Sequence, residues 1–130
     1  MAFNLPTETA KGKVREVELG AGEKAKKVGG ENALPFHLWE GEMPNKPIVA
    51  AEVSDEVGEL VPALEKALGE VKNDPVAWAK KAVEEWGADA IFLLLVSTDP
   101  KATDAPAEQA AETVLKVEEA VNVPVIVYGT

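Results

Sequence analysis

Lys46–Asp55, KPIVAAEVSD, is apolar on both parities from Ile48 to Val53 and is bounded by Pro47 on one side and Ser54-Asp55 on the other. So short a run is no helix of its own, and a strand with one wet face would alternate. Apolar residues on both parities mark a strand covered on both faces, the usual state of parallel strands in α/β proteins. Two further runs read the same way: Ala88–Val96 (ADAIFLLLV) leads into Ser97-Thr98-Asp99, and Val123–Tyr128 (VPVIVY) leads into Gly129-Thr130. In such sheets ligands gather at the carboxyl ends of the strands, so these three tips are where function is expected.

Helical patterns fill the intervals. Val57, Leu60, Val61, Leu64, Leu68 and Val71 recur at helical spacing, but Gly58, Pro62 and Gly69 interrupt them, which confines the helix to about Pro62–Val71. Asn73-Asp74-Pro75 is a cap followed by Pro at the first helical position, and Val76, Ala79, Ala82, Val83 and Trp86 form the expected buried stripe of a second helix. Gly87 ends it, since glycine takes the left-handed conformation without steric cost. Asp104-Ala105-Pro106 opens a third helix with an inner face of Ala107, Ala110, Ala111, Val114, Val117 and Val121, stopped by Asn122 and Pro124. The order β, α, β, α, β predicts right-handed crossovers and a parallel sheet.

Residues 1–45 read differently. Residues 1–12 have no periodicity and suggest a loose arm; KVREVELG from Lys13 is a short strand with a slipped register; Gly20-Ala21-Gly22 and Gly29-Gly30 frame a hairpin or Ω-like lead-in. Asn32–Asn45 carries Leu34, Phe36, Leu38, Trp39 and Met43 among Pro35, Gly41 and Pro44. That much apolar bulk predicts either a plug closing one end of the sheet or a docking surface for another subunit. The chain thus divides into an arm, hairpin and plug over 1–45 and three β/α units over 46–130. A buried-type last strand followed by two residues leaves an edge uncovered, so the expected fold is α/β, the N-terminal part of a (β/α)8 TIM barrel, cut short or completed by another polypeptide.

Composition narrows the partners. With 23 acidic against 13 basic residues the net charge is −10, which argues against nucleic acid or an anionic membrane surface, because phosphate binding depends on clustered Lys and Arg. Without cysteine the chain has no thiolate for a disulfide or an iron–sulfur cluster. No apolar run approaches the ~20 residues of a membrane helix, and the start is unlike a signal peptide, so a cytoplasmic protein is expected.

Val28–Asp55 (VGGENALPFHLWEGEMPNKPIVAAEVSD), Asn73–Pro100 and Val121–Thr130 together resemble the small (delta) subunit of the corrinoid iron–sulfur protein of the carbon monoxide dehydrogenase/acetyl-CoA synthase system. The resemblance covers nearly all of this chain but only the first part of a typical family member. It implies a TIM-barrel subunit paired with a large subunit that carries a [4Fe–4S] cluster and a cobamide, the pair moving a methyl group from methyltetrahydrofolate or a methyltetrahydropterin to acetyl-CoA synthase in the Wood–Ljungdahl pathway. The implied partners are that large subunit, acetyl-CoA synthase and the methyltransferase. The cobamide would be contacted at the subunit interface and not held by this chain alone.

Corrinoid-facing candidates then follow by position: Ser54 and Asp55, Ser97, Thr98 and Asp99, Gly129 and Thr130. Ser, Thr and Asp are equally the residues of ordinary caps and turns. Glu52 shares parity with Ile48 and Ala50 and would point into the barrel, as a buried polar contact or, less simply, a perturbed carboxylate at a working site. His37, the only histidine, lies in the plug segment and suits a structural hydrogen bond better than a metal. No metal-ligand spacing, nucleophile triad or phosphate loop is visible, so no catalytic residue is assigned. The competing reading is an enzyme in its own right, a pterin-dependent methyltransferase barrel. It requires an Asp/Asn-rich floor of which Asp55 and Asp99 alone are in view.

Overall fold

A computed structural model describes residues 3–34 and 36–129. Residues 3–12 form neither helix nor strand. β1 (Val17–Leu19) and β2 (Lys26–Val28) make an antiparallel hairpin with Val17 opposite Val28 and Leu19 opposite Lys26. The irregular loop that follows leads to β3 (Ala50–Ser54), α1 (Pro62–Leu68), α2 (Pro75–Glu84), β4 (Ala90–Leu95), α3 (Ala107–Ala120) and β5 (Val125–Gly129).

β3, β4 and β5 form one parallel sheet in sequence order, with Val53 opposite Leu93 and Leu93 opposite Val127. Strand parity then splits the sheet. Val53, Ile91, Leu93 and Leu95 pack with Leu68, Trp78, Ala79, Ala82, Ala110 and Val117 in a single core. Because α2 packs on β3, β4 and α3, and α3 reaches β5, both crossover helices lie over this one face. The other parity carries Ala50, Glu52, Phe92, Leu94, Ile126 and Tyr128. Phe92 and Tyr128 stack there with ring centroids 6.0 Å apart, and no helix among the described residues covers them. The outer edges of β3 and β5 have no strand partner among the described residues.

The local signals hold where they are local. Asp74 caps α2, its Oδ1 accepting from the N–H groups of Val76 (3.0 Å) and Ala77 (3.1 Å), with Pro75 at the first helical position. Gly87 leaves the helix at φ +70°. Three expectations are corrected. α1 ends at Leu68, because Gly69 takes φ +59° and the chain continues as a 3-10 turn to Asn73 in place of helix to Val71. Trp86 is 46% exposed: it falls two residues past the end of α2, where Lys81 lies 5.9 Å from its ring, and Trp78 fills the core instead. Glu52 has the expected parity but is exposed on the open face, so it is no buried carboxylate here.

Leu34, Phe36, Leu38 and Trp39 are 61%, 89%, 64% and 51% exposed among the described residues, and Met43 is half-buried. The loop is held by polar pins. Asn32 N–H donates to the Glu42 carbonyl (3.1 Å) while Asn32 Oδ1 accepts from Glu42 N–H (2.6 Å). Asn45 Nδ2 donates both to the Gly29 carbonyl (2.8 Å) and to Glu16 (2.9 Å). That amide, with Lys27 nearby, holds the Glu16 carboxyl below its ordinary value. Lys24 closes the other side of the hairpin, donating to the backbone carbonyl and carboxylate of Glu118 near the end of α3, where cations are favoured.

Candidate functional site

Parallel strands in sequence order bring their carboxyl ends to one rim, so residues 54–56, 96–99 and 129 become neighbours although as many as 75 positions separate them. At the tip of β3, Ser54 is buried and its Oγ donates to the Glu56 carbonyl at 2.5 Å, turning the chain into the next loop. Asp55 points across to the tip of β4. Its Oδ1 accepts from Ser97 N–H (3.2 Å), its Oδ2 accepts from Ser97 Oγ (2.5 Å), and its own N–H donates to the Leu94 carbonyl (3.1 Å). Ser97 is 5% exposed, and its carbonyl accepts from Ala105 N–H at 2.8 Å, which draws the loop before α3 onto the same rim.

Thr98 Oγ1 donates back to the Leu95 carbonyl at 2.8 Å. Gly129 closes on it: a Cβ there would stand 3.1 Å from Thr98 Oγ1 and 3.3 Å from the Leu95 Cβ, so the third strand tip abuts the second loop. Asp99 behaves as a turn residue. Its Oδ1 accepts from Lys101 N–H (2.8 Å), and its carbonyl accepts from Ala102 (2.8 Å) and Asp104 (3.2 Å). Thr130 lies outside the described residues.

Two rim residues escaped the sequence reading. Thr103 Oγ1 donates to the Glu56 carboxylate, 2.6 and 2.8 Å from its oxygens, tying the loop after β3 to the loop before α3. Nothing in local pattern marks a pair 47 positions apart. Beside this rim, at the outer edge of β3, Glu52, Val57, Leu60, Leu64, Trp78 and Leu94 line a largely apolar cleft of about 430 Å³.

The chemistry of the rim follows from its bonding. The hydroxyls of Ser54, Ser97, Thr98 and Thr103 all donate inward, and the carboxylates of Asp55, Glu56 and Asp99 all accept from the chain. Oxygens so engaged keep lone pairs able to accept further bonds from amide N–H groups. Among the described residues no group of three or more His, Asp or Glu side chains is placed to hold a metal ion. His37 stands apart in the loop before β3, its Nδ1 3.0 Å from Glu40 Oε2 and its ring stacked on Trp39 at 5.0 Å.

Asp55→Ala tests the rim. It leaves the N–H and Oγ of buried Ser97 without their acceptor, a loss of about 2 kcal/mol for an unsatisfied polar group. Urea unfolding should show that drop, whereas Asp99→Ala, which releases only an exposed turn, should change stability by about 0.5 kcal/mol or less. Equal effects would mean that Asp55 is an ordinary turn residue.

Residues 16–130 match the protein family described as CO dehydrogenase/acetyl-CoA synthase delta subunit. The chain is 41% identical over 124 residues to acetyl-CoA decarbonylase/synthase complex subunit delta 1 of Methanosarcina thermophila, covering 90% of this chain and 28% of that protein. It is 41% identical over 127 residues to the delta subunit of Methanopyrus kandleri (92% of this chain, 31% of that protein). With the delta subunit of Archaeoglobus fulgidus it shares 36% identity over 135 residues, 98% of this chain and 30% of that protein. The chain therefore spans less than a third of the length of these relatives.

Proposed function

Because this chain belongs to the CO dehydrogenase/acetyl-CoA synthase delta subunit family, we propose that it acts as a non-catalytic partner subunit in methyl transfer, its strand-tip rim lying against a corrinoid carried by a larger subunit. The relatives are named as subunits of an acetyl-CoA decarbonylase/synthase complex, which supports a role in an assembly. The observation that carries the reading is the bonding of the rim. Asp55 accepts from both the N–H and the hydroxyl of Ser97, which fixes a rim rich in acceptor oxygens.

A corrin ring is edged with amide side chains, whose N–H groups suit such a surface. The proposed role is contact at the subunit interface, with the cobamide held by the larger subunit. When bound, the corrinoid supplies the centre that carries the methyl group. Asp55, Thr98 and the bare backbone at Gly129 would face its edge, with buried Ser54 and Ser97 holding those groups in place. The proposal includes the barrel: strands in sequence order with both crossover helices on one face are what the opening of a (β/α)8 ring requires. Cytoplasmic assembly with the corrinoid iron–sulfur large subunit, acetyl-CoA synthase and the methyltransferase completes the reading. Among the described residues no helix is long and apolar enough to cross a membrane. A self-sufficient pterin-dependent methyltransferase is disfavoured, because Asp55 and Asp99 are both engaged by their own chain.

Mixing the chain with the corrinoid-bearing large subunit should give co-elution of protein and corrinoid absorbance in gel filtration. A chain that elutes alone at every ratio overturns the subunit reading. Methyl transfer to free cobalamin by the chain alone would restore the enzyme reading.

A further inference from the structure

We propose that the outward apolar face of the loop before β3, formed by Leu34, Phe36, Leu38 and Trp39, is the docking surface for a partner subunit presenting apolar side chains flanked by Lys or Arg. This rests on the subunit reading above and adds the place of contact, well away in sequence from the strand-tip rim. Isolated exposed apolar residues are ordinary; four within six positions, two of them aromatic, are the pattern of a protein interface.

The loop is also prepared for the task. Its base is fixed by the Asn32–Glu42 pair and by Asn45, and its tip by His37 N–H to the Leu34 carbonyl (3.0 Å) and Glu40 N–H to the His37 carbonyl (3.0 Å). Trp39 is braced by the His37 ring, which Glu40 holds in turn. Phe36 takes φ +68°, a conformation disfavoured for a bulky side chain, and is exposed there. An unfavourable backbone that gains no burial within the chain points to a contact made outside it. Charge selects the partner's chemistry. Residues 31–45 contain no Lys or Arg, and while Glu40 is turned onto His37, Glu42 is exposed and Glu31 half-buried, in a chain of net charge −10, so a second copy would meet like charge and a basic rim would be welcomed.

Phe36→Asn separates docking from folding, because Asn accepts the left-handed conformation more readily than Phe. Its melting temperature should rise, while calorimetric titration against the large subunit shows roughly 30-fold or more weaker binding when Trp39→Ser is added. Binding of the unaltered chain should weaken as salt is raised. Affinity that survives both substitutions overturns the docking surface alone. An unaltered chain that binds no subunit overturns the subunit reading with it. Self-association that these substitutions abolish would also sink it.

Discussion

Leu93→Ala is expected to lower the unfolding free energy by about 4 kcal/mol, in the upper part of the range for emptying a buried leucine site. Leu93 is fully buried on the central strand, between Val53 and Val127, on the face that takes both crossover helices. The size of the loss follows from what surrounds it. With aromatics only 5% of the sequence, the core is built from Val, Leu, Ile and Ala around the single Trp78, and the helices contribute Ala79, Ala82 and Ala110 to it. Short side chains lying close to a sheet have no slack with which to refill a void, so much of the cavity stays open. For a domain whose whole stability is of order 5–15 kcal/mol, that is a large fraction. Urea unfolding followed by circular dichroism should show a lower midpoint with an unchanged slope. Phe92→Ala is the control: one residue away on the open face, its ring stacks on Tyr128 and belongs to no helix-covered core, so its cost should be clearly smaller. A Phe92→Ala loss equal to that of Leu93→Ala would put the helices on the wrong face.

That contrast marks what could be read from residues alone. AIFLLL is apolar at every position, which identifies a buried strand but not which parity meets the helices; only the register with β3 and β5 decides it. Caps and breakers were legible because their causes sit within four residues, as with Asp74, Pro75 and Gly87. Trp86 misled because helical spacing was projected past Glu84, where the helix had already ended. At the rim, the meeting of Ser54, Asp55, Ser97 and Gly129 follows from strand ends alone. The pairing of Asp55 with Ser97, 42 positions apart, and of Glu56 with Thr103 depends on loop paths that no periodicity encodes. The Asn32–Asn45 loop was legible as apolar and irregular, with a plug and a docking surface as its two readings, but the bonds that hold it were not. One of its pins, Asn45 to Glu16, spans 29 positions and requires the hairpin to be in place.

Gly29→Ala should disconnect that loop while leaving the parallel sheet intact. Gly29 sits at φ +80°, and a Cβ there would run into the Arg15 carbonyl oxygen, a backbone atom that cannot swing aside. The left-handed backbone alone costs about 1–2 kcal/mol for an L side chain, and displacing a backbone carbonyl brings the total to about 3 kcal/mol. Relief comes only by parting residues 29–31 from residues 14–16, and that breaks a connected set. Gly30 N–H donates to the Val14 carbonyl (3.1 Å), Val14 N–H to the Glu31 carbonyl (2.8 Å) and Asn45 Nδ2 to the Gly29 carbonyl (2.8 Å). The neighbouring Gly30 leaves no room to compensate, since its own Cβ would stand 2.8 Å from Pro44 Cγ. Hydrogen exchange should therefore show lost protection at Val14, Gly30 and Asn32 with β3, β4 and β5 unchanged, because the hairpin and the sheet have separate hydrogen-bond ladders. Docking of the large subunit should fall at least as far as in the Phe36→Asn, Trp39→Ser chain, since the apolar face would no longer be presented as one surface. A Gly29→Ala chain with an unfrayed hairpin would mean that the glycine pair is not what seats the loop.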